Sequence, residues 1–331
     1  MQLTYLPLWR RARRVRRAAM AAGWIVLACS ALTSLVCAQQ QNSDAKVSIT
    51  PRVSTMPEAR ALRSGVIRAD ANRVFISTTV TDSYGRPVEG LHKQDFRLLQ
   101  DGIEQELSEF FVEDGPISIG VVFDVSASVR NKLAEARQTV SQFLGLSTPG
   151  DEFFLVTFRD QPELVRGFTT APEDIEADLG VVQPKGWTAL YDAMVLAINH
   201  MKRASRSRRV LLVLTDGGDN NSRYNESEVK NLVRESNVRI LSISIQGHTP
   251  VLDKLAAESG GRAYQVRKLE ELPEVAAAAG AEAHAEYVLG FIPADGPRDG
   301  KYHSVKVEVV PPLADPRMHV SWRHGYYGLL Q

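Results

Sequence analysis

Asp124, Ser126 and Ser128 stand at alternate positions of Asp124-Val125-Ser126-Ala127-Ser128, and two further oxygen-bearing segments follow, Gly186-Trp187-Thr188 and Thr215-Asp216-Gly217-Gly218-Asp219. Carboxylates and hydroxyls without imidazole or thiolate suit a hard cation such as Mg2+, Mn2+ or Ca2+, and not zinc. Two side chains at i and i+2 of one loop, with single residues from two other loops, can hold half an octahedron. Water or an oxygen from another molecule takes the remaining positions. For that chemistry the three segments must meet in space.

Other chemistry finds little footing. A serine hydrolase elbow wants Gly-x-Ser-x-Gly, whereas Ser126 lies between Val125 and Ala127. There is no His-Glu-x-x-His and no phosphate-binding glycine loop, and Asp-x-Asp-x-Asp-Gly is absent around Asp216, Asp219 and Asn220. The expectation is a protein that is not an enzyme. Lys202, Arg203, Arg206, Arg208 and Arg209 could meet a polyanion, but the run reads better as a solvated turn before a buried strand.

The elements needed to gather the oxygen-bearing segments are legible. Apolar runs at Ile117–Phe123, Phe153–Phe158, Val210–Leu214 and Ile240–Ile245 alternate with amphipathic helices. Val210–Leu214 is apolar on both faces, as a central parallel strand covered on both sides must be. Leu190, Ala193, Met194, Ala197, Ile198 and Met201 recur at helical spacing, and Asn225 with Glu228 forms a capping-box start. This predicts a doubly wound, mostly parallel α/β domain over 116–285, its last helix opening near Pro273. Asp124 and Thr215 directly follow two of the strands, at the edge where open sheets bind ligands.

Either side of that domain the texture is β. Before it, residues 71–115 hold an alternating strand at Val74–Val80, a turn at Asp82–Gly85, a strand at Phe96–Leu98 and an Asp101-Gly102 hairpin leading into Ile103–Phe111. After it, residues 286–331 carry strands at Tyr287–Ile292, Tyr302–Val310 and His319–Arg323. Neither set is large enough to stand alone. The two are therefore expected to pair into one β-sandwich, with the α/β domain inserted between them.

The motifs and their order are similar to the metal-ion-dependent adhesion site (MIDAS) of von Willebrand factor A (VWA) domains, over about residues 117–285. The resemblance implies Ser126, Ser128 and Thr188 as direct ligands of one divalent cation, Mg2+ or alternatively Mn2+ or Ca2+, with Asp124 and Asp216 completing the site. It implies a vacant position filled by an Asp or Glu carboxylate of a protein partner. Trp187 departs from the family's usual Gly-Gly-Thr and puts an apolar ring where the partner would approach, with Gly217 and Asp219 on the same expected rim; packing on the loop is the plain alternative for Trp187. The flanking pieces Val80-Thr81-Asp82 to Val88, Asp95 to Gly102, Tyr287-Val288-Leu289-Gly290 and Gly325-Tyr326-Tyr327 make the whole chain resemble bacterial VWA-related proteins first grouped in Acidobacteria.

Six arginines between Arg10 and Arg17, an apolar run from Ala18 to Val36, and Val36-Cys37-Ala38 have the three-part form of a signal peptide over 1–38. An uncut membrane anchor or a lipid on Cys29 are the alternatives. Residues 39–70 read as a polar linker. The formal charge is zero, but cleavage after Ala38 leaves 33 basic against 39 acidic side chains and removes both cysteines. The mature protein would be acidic and free of disulfides, which speaks against nucleic acid. The expectation is an exported (periplasmic, secreted or surface) cation-dependent adhesion-type protein. The alternative is an assembly scaffold with a vestigial metal site, its contacts made by the sandwich.

Overall fold

The computed structural model describes residues 73–293, 299–310 and 317–328; the expected leader and linker lie outside them. Strands β5 (Ile117–Asp124), β6 (Glu152–Phe158), β8 (Arg208–Thr215), β9 (Arg239–Ile245) and β10 (Arg262–Val266) run parallel in one sheet, with β7 (Pro162–Thr169) antiparallel at one edge. Their order is β10-β9-β8-β5-β6-β7. Successive side chains of a strand face opposite ways, and here each face meets its own helices. Ile119, Val121, Phe123, Leu212 and Leu214 pack under α1 (Leu133–Leu144), α2 (Pro172–Val181) and α6 (Leu272–His284). Val122, Phe154, Val156, Leu211 and Val213 pack under α3 (Leu190–Met201), α4 (Glu226–Glu235) and α5 (Pro250–Ser259). This is the doubly wound fold expected from the sequence. The helix at Leu190 buries all six of the periodic residues, and Asn225 and Glu228 form a reciprocal capping box at the start of α4.

The flanking strands form two antiparallel sheets. One has the order β13-β1-β11-β4, from β1 (Val74–Thr81), β4 (Leu107–Glu113), β11 (Glu286–Phe291) and β13 (His319–Trp322). The other has the order β14-β12-β2-β3, from β2 (Phe96–Gln100), β3 (Ile103–Gln105), β12 (Tyr302–Val309) and β14 (Gly325–Tyr327). Each sheet takes strands from both ends of the sequence: Ile76 stands opposite Leu289, and Leu98 opposite Val307. Ile76, Leu98, Leu289, Phe291 and Val307 share one core. The expected strand from Ile103 to Phe111 is in fact two, because the chain leaves one sheet at Gln105 and joins the other at Leu107. Asp101 and Gly102 both have positive φ, 49° and 83°, as a two-residue primed hairpin turn requires.

Lys202 and Arg203 are exposed as expected of a solvated turn, but Arg208 departs from that reading, because it is buried. Its guanidinium binds the Glu286 carboxylate at 2.8 Å and the carbonyls of Gly115 and His284. Arg239, which opens β9, donates to Thr79 Oγ1 at 2.6 Å and to the carbonyls of Glu282, Ala283 and Ala285 at the end of α6. Arg262, which opens β10, reaches Thr81 Oγ1. Three strand N-termini thus tie the α/β domain to the sandwich at the sheet edge opposite Asp124. Cations also suit the negative end of a helix.

At one end of the sandwich His303 bridges Asp101 (2.8 Å) and Asp299 (3.1 Å). Burial works to lower the His303 pKa, but the hydrogen bonds to the two carboxylates outweigh it and raise it above 6.5. Both carboxyls are held below their usual value. A raised histidine stabilises fully below its unfolded value and loses that contribution as pH rises through the folded one. The depressed aspartates stabilise above about 3.8 and lose their contribution in acid. The expected outcome is that wild type melts higher than His303→Gln between about pH 4 and 6.5 and that the gap narrows toward pH 9. A gap that stays constant in melting curves across that range would contradict it. Among the described residues no helix is long and apolar enough to cross a membrane.

Candidate metal centre

The site lies where β5 and β8, neighbours in the centre of the sheet, end side by side. Asp124 closes β5 as a buried carboxylate. Its Oδ1 accepts from the Ser126 backbone N–H at 2.8 Å, and its Oδ2 accepts from Thr215 Oγ1 at 2.6 Å, across the two strand ends. Ser126 Oγ and Ser128 Oγ are 3.0 Å apart, and Ser128 Oγ donates to Asp216 Oδ1 at 2.7 Å. Four of the five expected ligand residues therefore form one continuous hydrogen-bonded chain: Asp124, Ser126, Ser128 and Asp216. Burial pushes the Asp124 carboxyl up, the Asp216 charge adding to that, against opposing hydrogen bonds from Thr215 and Ser126. A carboxylate such as Asp124, whose burial outweighs its hydrogen bonds, favours a cation beside it.

Thr188 comes from the loop before α3, and it is buried. Its backbone N–H donates to Asn220 Oδ1 at 2.8 Å, and its carbonyl accepts from the N–H groups of Asn220 and Asn221. The loop is also fastened to the end of β5: Gly186 O accepts from Ala127 N, and Lys185 N donates to Val125 O. Gly186 sits at φ 78°, and a Cβ there would meet the Asp160 carboxylate at 2.3 Å, so only glycine fits. Asp160 Oδ1 accepts from the Trp187 N–H, which leaves the Trp187 ring 64% exposed. On the rim, Gly217 donates its N–H to Thr215 Oγ1 and accepts from the Thr249 hydroxyl through its carbonyl. Asp219 turns inward to the Tyr191 N–H at the first turn of α3 and to the Ser222 hydroxyl of its own loop.

Residues that sequence reasoning did not assign to the site also take part. Thr215 joins β8 to Asp124 and belongs to the Thr-Asp-Gly motif already visible. Lys132, at the start of α1, places Nζ 2.9 Å from Asp216 Oδ2. Nothing in the sequence flags it, since its partner is far along the chain. Among the described residues no three His, Cys, Asp or Glu side chains are grouped to hold a metal. Only two carboxylates are available here, and hydroxyls would have to supply the other donors.

Residues 119–218 match the family model of the von Willebrand factor type A domain. Inter-alpha-trypsin inhibitor heavy chain H4 of Sus scrofa is 26% identical over 167 residues, covering 46% of this chain and 18% of that protein. An uncharacterized protein of Borreliella burgdorferi is 28% identical over 137 residues, 38% of this chain and 40% of that one. The chain thus spans well under half the length of these curated relatives. Among solved structures, proximal thread matrix protein 1 from the mussel byssus, with a zinc-occupied MIDAS motif, is similar at TM-score 0.48 and 21% identity, over 56% of this chain and 49% of that one.

Proposed function

We propose that this is an exported binding protein that takes one divalent cation at Asp124, Ser126, Ser128, Thr188 and Asp216 and uses it to grip a carboxylate of a protein partner. The observation that carries the reading is the convergence of Asp124, Ser126, Ser128 and Asp216 into one hydrogen-bonded cluster at the central strand ends. Oxygen-only donors favour Mg2+, Mn2+ or Ca2+. A bound dication supplies a Lewis-acidic position open to an outside oxygen. Ser126, Ser128 and Thr188 would hold it directly, while Asp124 and Asp216 would balance its charge and orient the hydroxyls. The six arginines and apolar run before Ala38 support export.

Partner capture through such a site requires the metal, because without it the carboxylates repel an acidic ligand. Acetate and a peptide bearing one glutamate are expected to bind in Mg2+, to be released by EDTA and to rebind when Mg2+ returns. Binding that survives EDTA would favour the scaffold reading, with contacts made by the sandwich. The exposed Trp187 ring adds apolar area beside the open position, which selects partners with an apolar group next to the acidic one. Burying most of an aromatic ring contributes about 2 kcal/mol. Trp187→Gly should therefore weaken a peptide with leucine beside its glutamate by about tenfold or more and leave acetate unchanged. Equal losses for both ligands, or none for either, in fluorescence titrations would remove this role.

A further inference from the structure

Lys132 does something that an all-oxygen cation site does not need. It ends the 3-10 turn that begins just after Ser126 and serves as N-cap of α1. From there its ammonium reaches Asp216 Oδ2 at 2.9 Å, with the lysine side chain 20% and the aspartate side chain 3% exposed. The other Asp216 oxygen accepts from Ser128 Oγ. Both oxygens of the carboxylate on the β8 loop are therefore engaged, one of them by a full positive charge. A pair this shielded escapes most of the screening that makes surface ion pairs weak. The other charged groups nearby differ: Arg130 and Lys185 are exposed, and Asp160 and Asp219 face backbone N–H groups.

The charge count gives this contact its meaning. Asp124 and Asp216 with Lys132 leave one net negative charge at the site. A dication would turn that into one net positive charge, which a single carboxylate from outside neutralises. Without Lys132 the loaded site would be neutral and would have less hold on an anion. The same ammonium competes with the cation for Asp216.

We propose that Lys132 is a built-in counter-cation: it holds Asp216 when no metal is bound, lowers the affinity for metal, and leaves the loaded site positively charged for an acidic partner. The proposal rests on the cation-dependent reading above, and it predicts opposite changes in two affinities. Mg2+ is titrated calorimetrically into the full-length wild type, Lys132→Met and Lys132→Arg, and acetate is then titrated into each Mg2+-loaded protein. Lys132→Met should bind Mg2+ about tenfold or more tighter, on the scale by which a neighbouring opposite charge shifts a carboxylate's proton affinity. Its loaded form should bind acetate correspondingly more weakly, and Lys132→Arg should follow wild type in both. Without metal, Lys132→Met should melt below wild type, and Mg2+ should raise it by more.

If Lys132→Met proves poorly folded by circular dichroism, Lys132→Gln serves in its place. Equal or weaker Mg2+ binding in the neutral variants would overturn the counter-cation role while leaving the metal site standing. No Mg2+ binding by wild type or variant would overturn both. Binding by the neutral variants alone would mean that the ammonium excludes the ion, which would overturn both the loaded-site role of Lys132 and cation-dependent capture by the natural chain.

Discussion

Arg239→Ala is expected to destabilise the protein by about 3 kcal/mol or more, without touching the site 's ligands, because several buried acceptors lose their donor at once. Its guanidinium satisfies the carbonyls of Glu282, Ala283 and Ala285 and the hydroxyl of Thr79. It does so where β9, the end of α6 and β1 of the sandwich meet. Burial lowers the Arg239 pKa, with Arg208 adding to that against the opposing charges of Glu286 and Glu282. The guanidinium therefore carries a desolvation cost that its hydrogen bonds and these charges offset. Arg239→Lys should recover little, since one ammonium cannot span the acceptors that a guanidinium fork reaches. Urea denaturation followed by tryptophan fluorescence measures this. A loss below about 1 kcal/mol would mean that water replaces the guanidinium and that the joint between domain and sandwich is soft.

The second large effect concerns function. Asp124→Asn keeps the shape and an oxygen for the Ser126 N–H, yet removes a charge from the most buried carboxylate of the site. Divalent-cation affinity is expected to fall by more than about a hundredfold, since even groups that only orient ligands are worth about 10–100-fold. Stability without metal should hold or rise, because burial already disfavours the charged form of Asp124. Thermal melts with and without 5–10 mM MgCl2, on the order used to saturate weak sites, separate the two effects. A variant that loses its metal-free fold would point to a structural carboxylate. A variant that keeps the Mg2+-induced rise would take Asp124 out of the cation site.

How much of this the sequence disclosed depended on how local each signal is. Val210–Leu214 and the Leu190 helix carry their pattern within a dozen residues, and both stand where periodicity put them. The paired flanking strands could be inferred because each set was too small alone. β7 was not legible: its residues are mostly half-exposed, and its pairing with β6 shifts register near Leu155. The sheet change at Glu106 was hidden because no glycine or proline marks a break between Ile103 and Phe111. At the candidate site the motifs pointed to Asp124, Ser126, Ser128, Thr188 and Asp216, of which Asp124, Ser126, Ser128 and Asp216 are joined by hydrogen bonds. They did not point to Lys132, Asp160 and Asn220, since each acts on a partner some 30 to 80 residues away. Arg208 was misread for the same reason: its charge is visible in the sequence, but Glu286 is not beside it.

On the function proposed above, the cluster at the ends of β5 and β8 holds one dication. Calorimetric titration of Mg2+ and of Mn2+ into the purified protein tests it most directly, with Asp124→Asn in parallel. One ion per chain should bind saturably to the wild type, and that binding should be lost in the variant. Absence of binding by folded wild type at millimolar metal, or equal binding by the variant, would contradict that function.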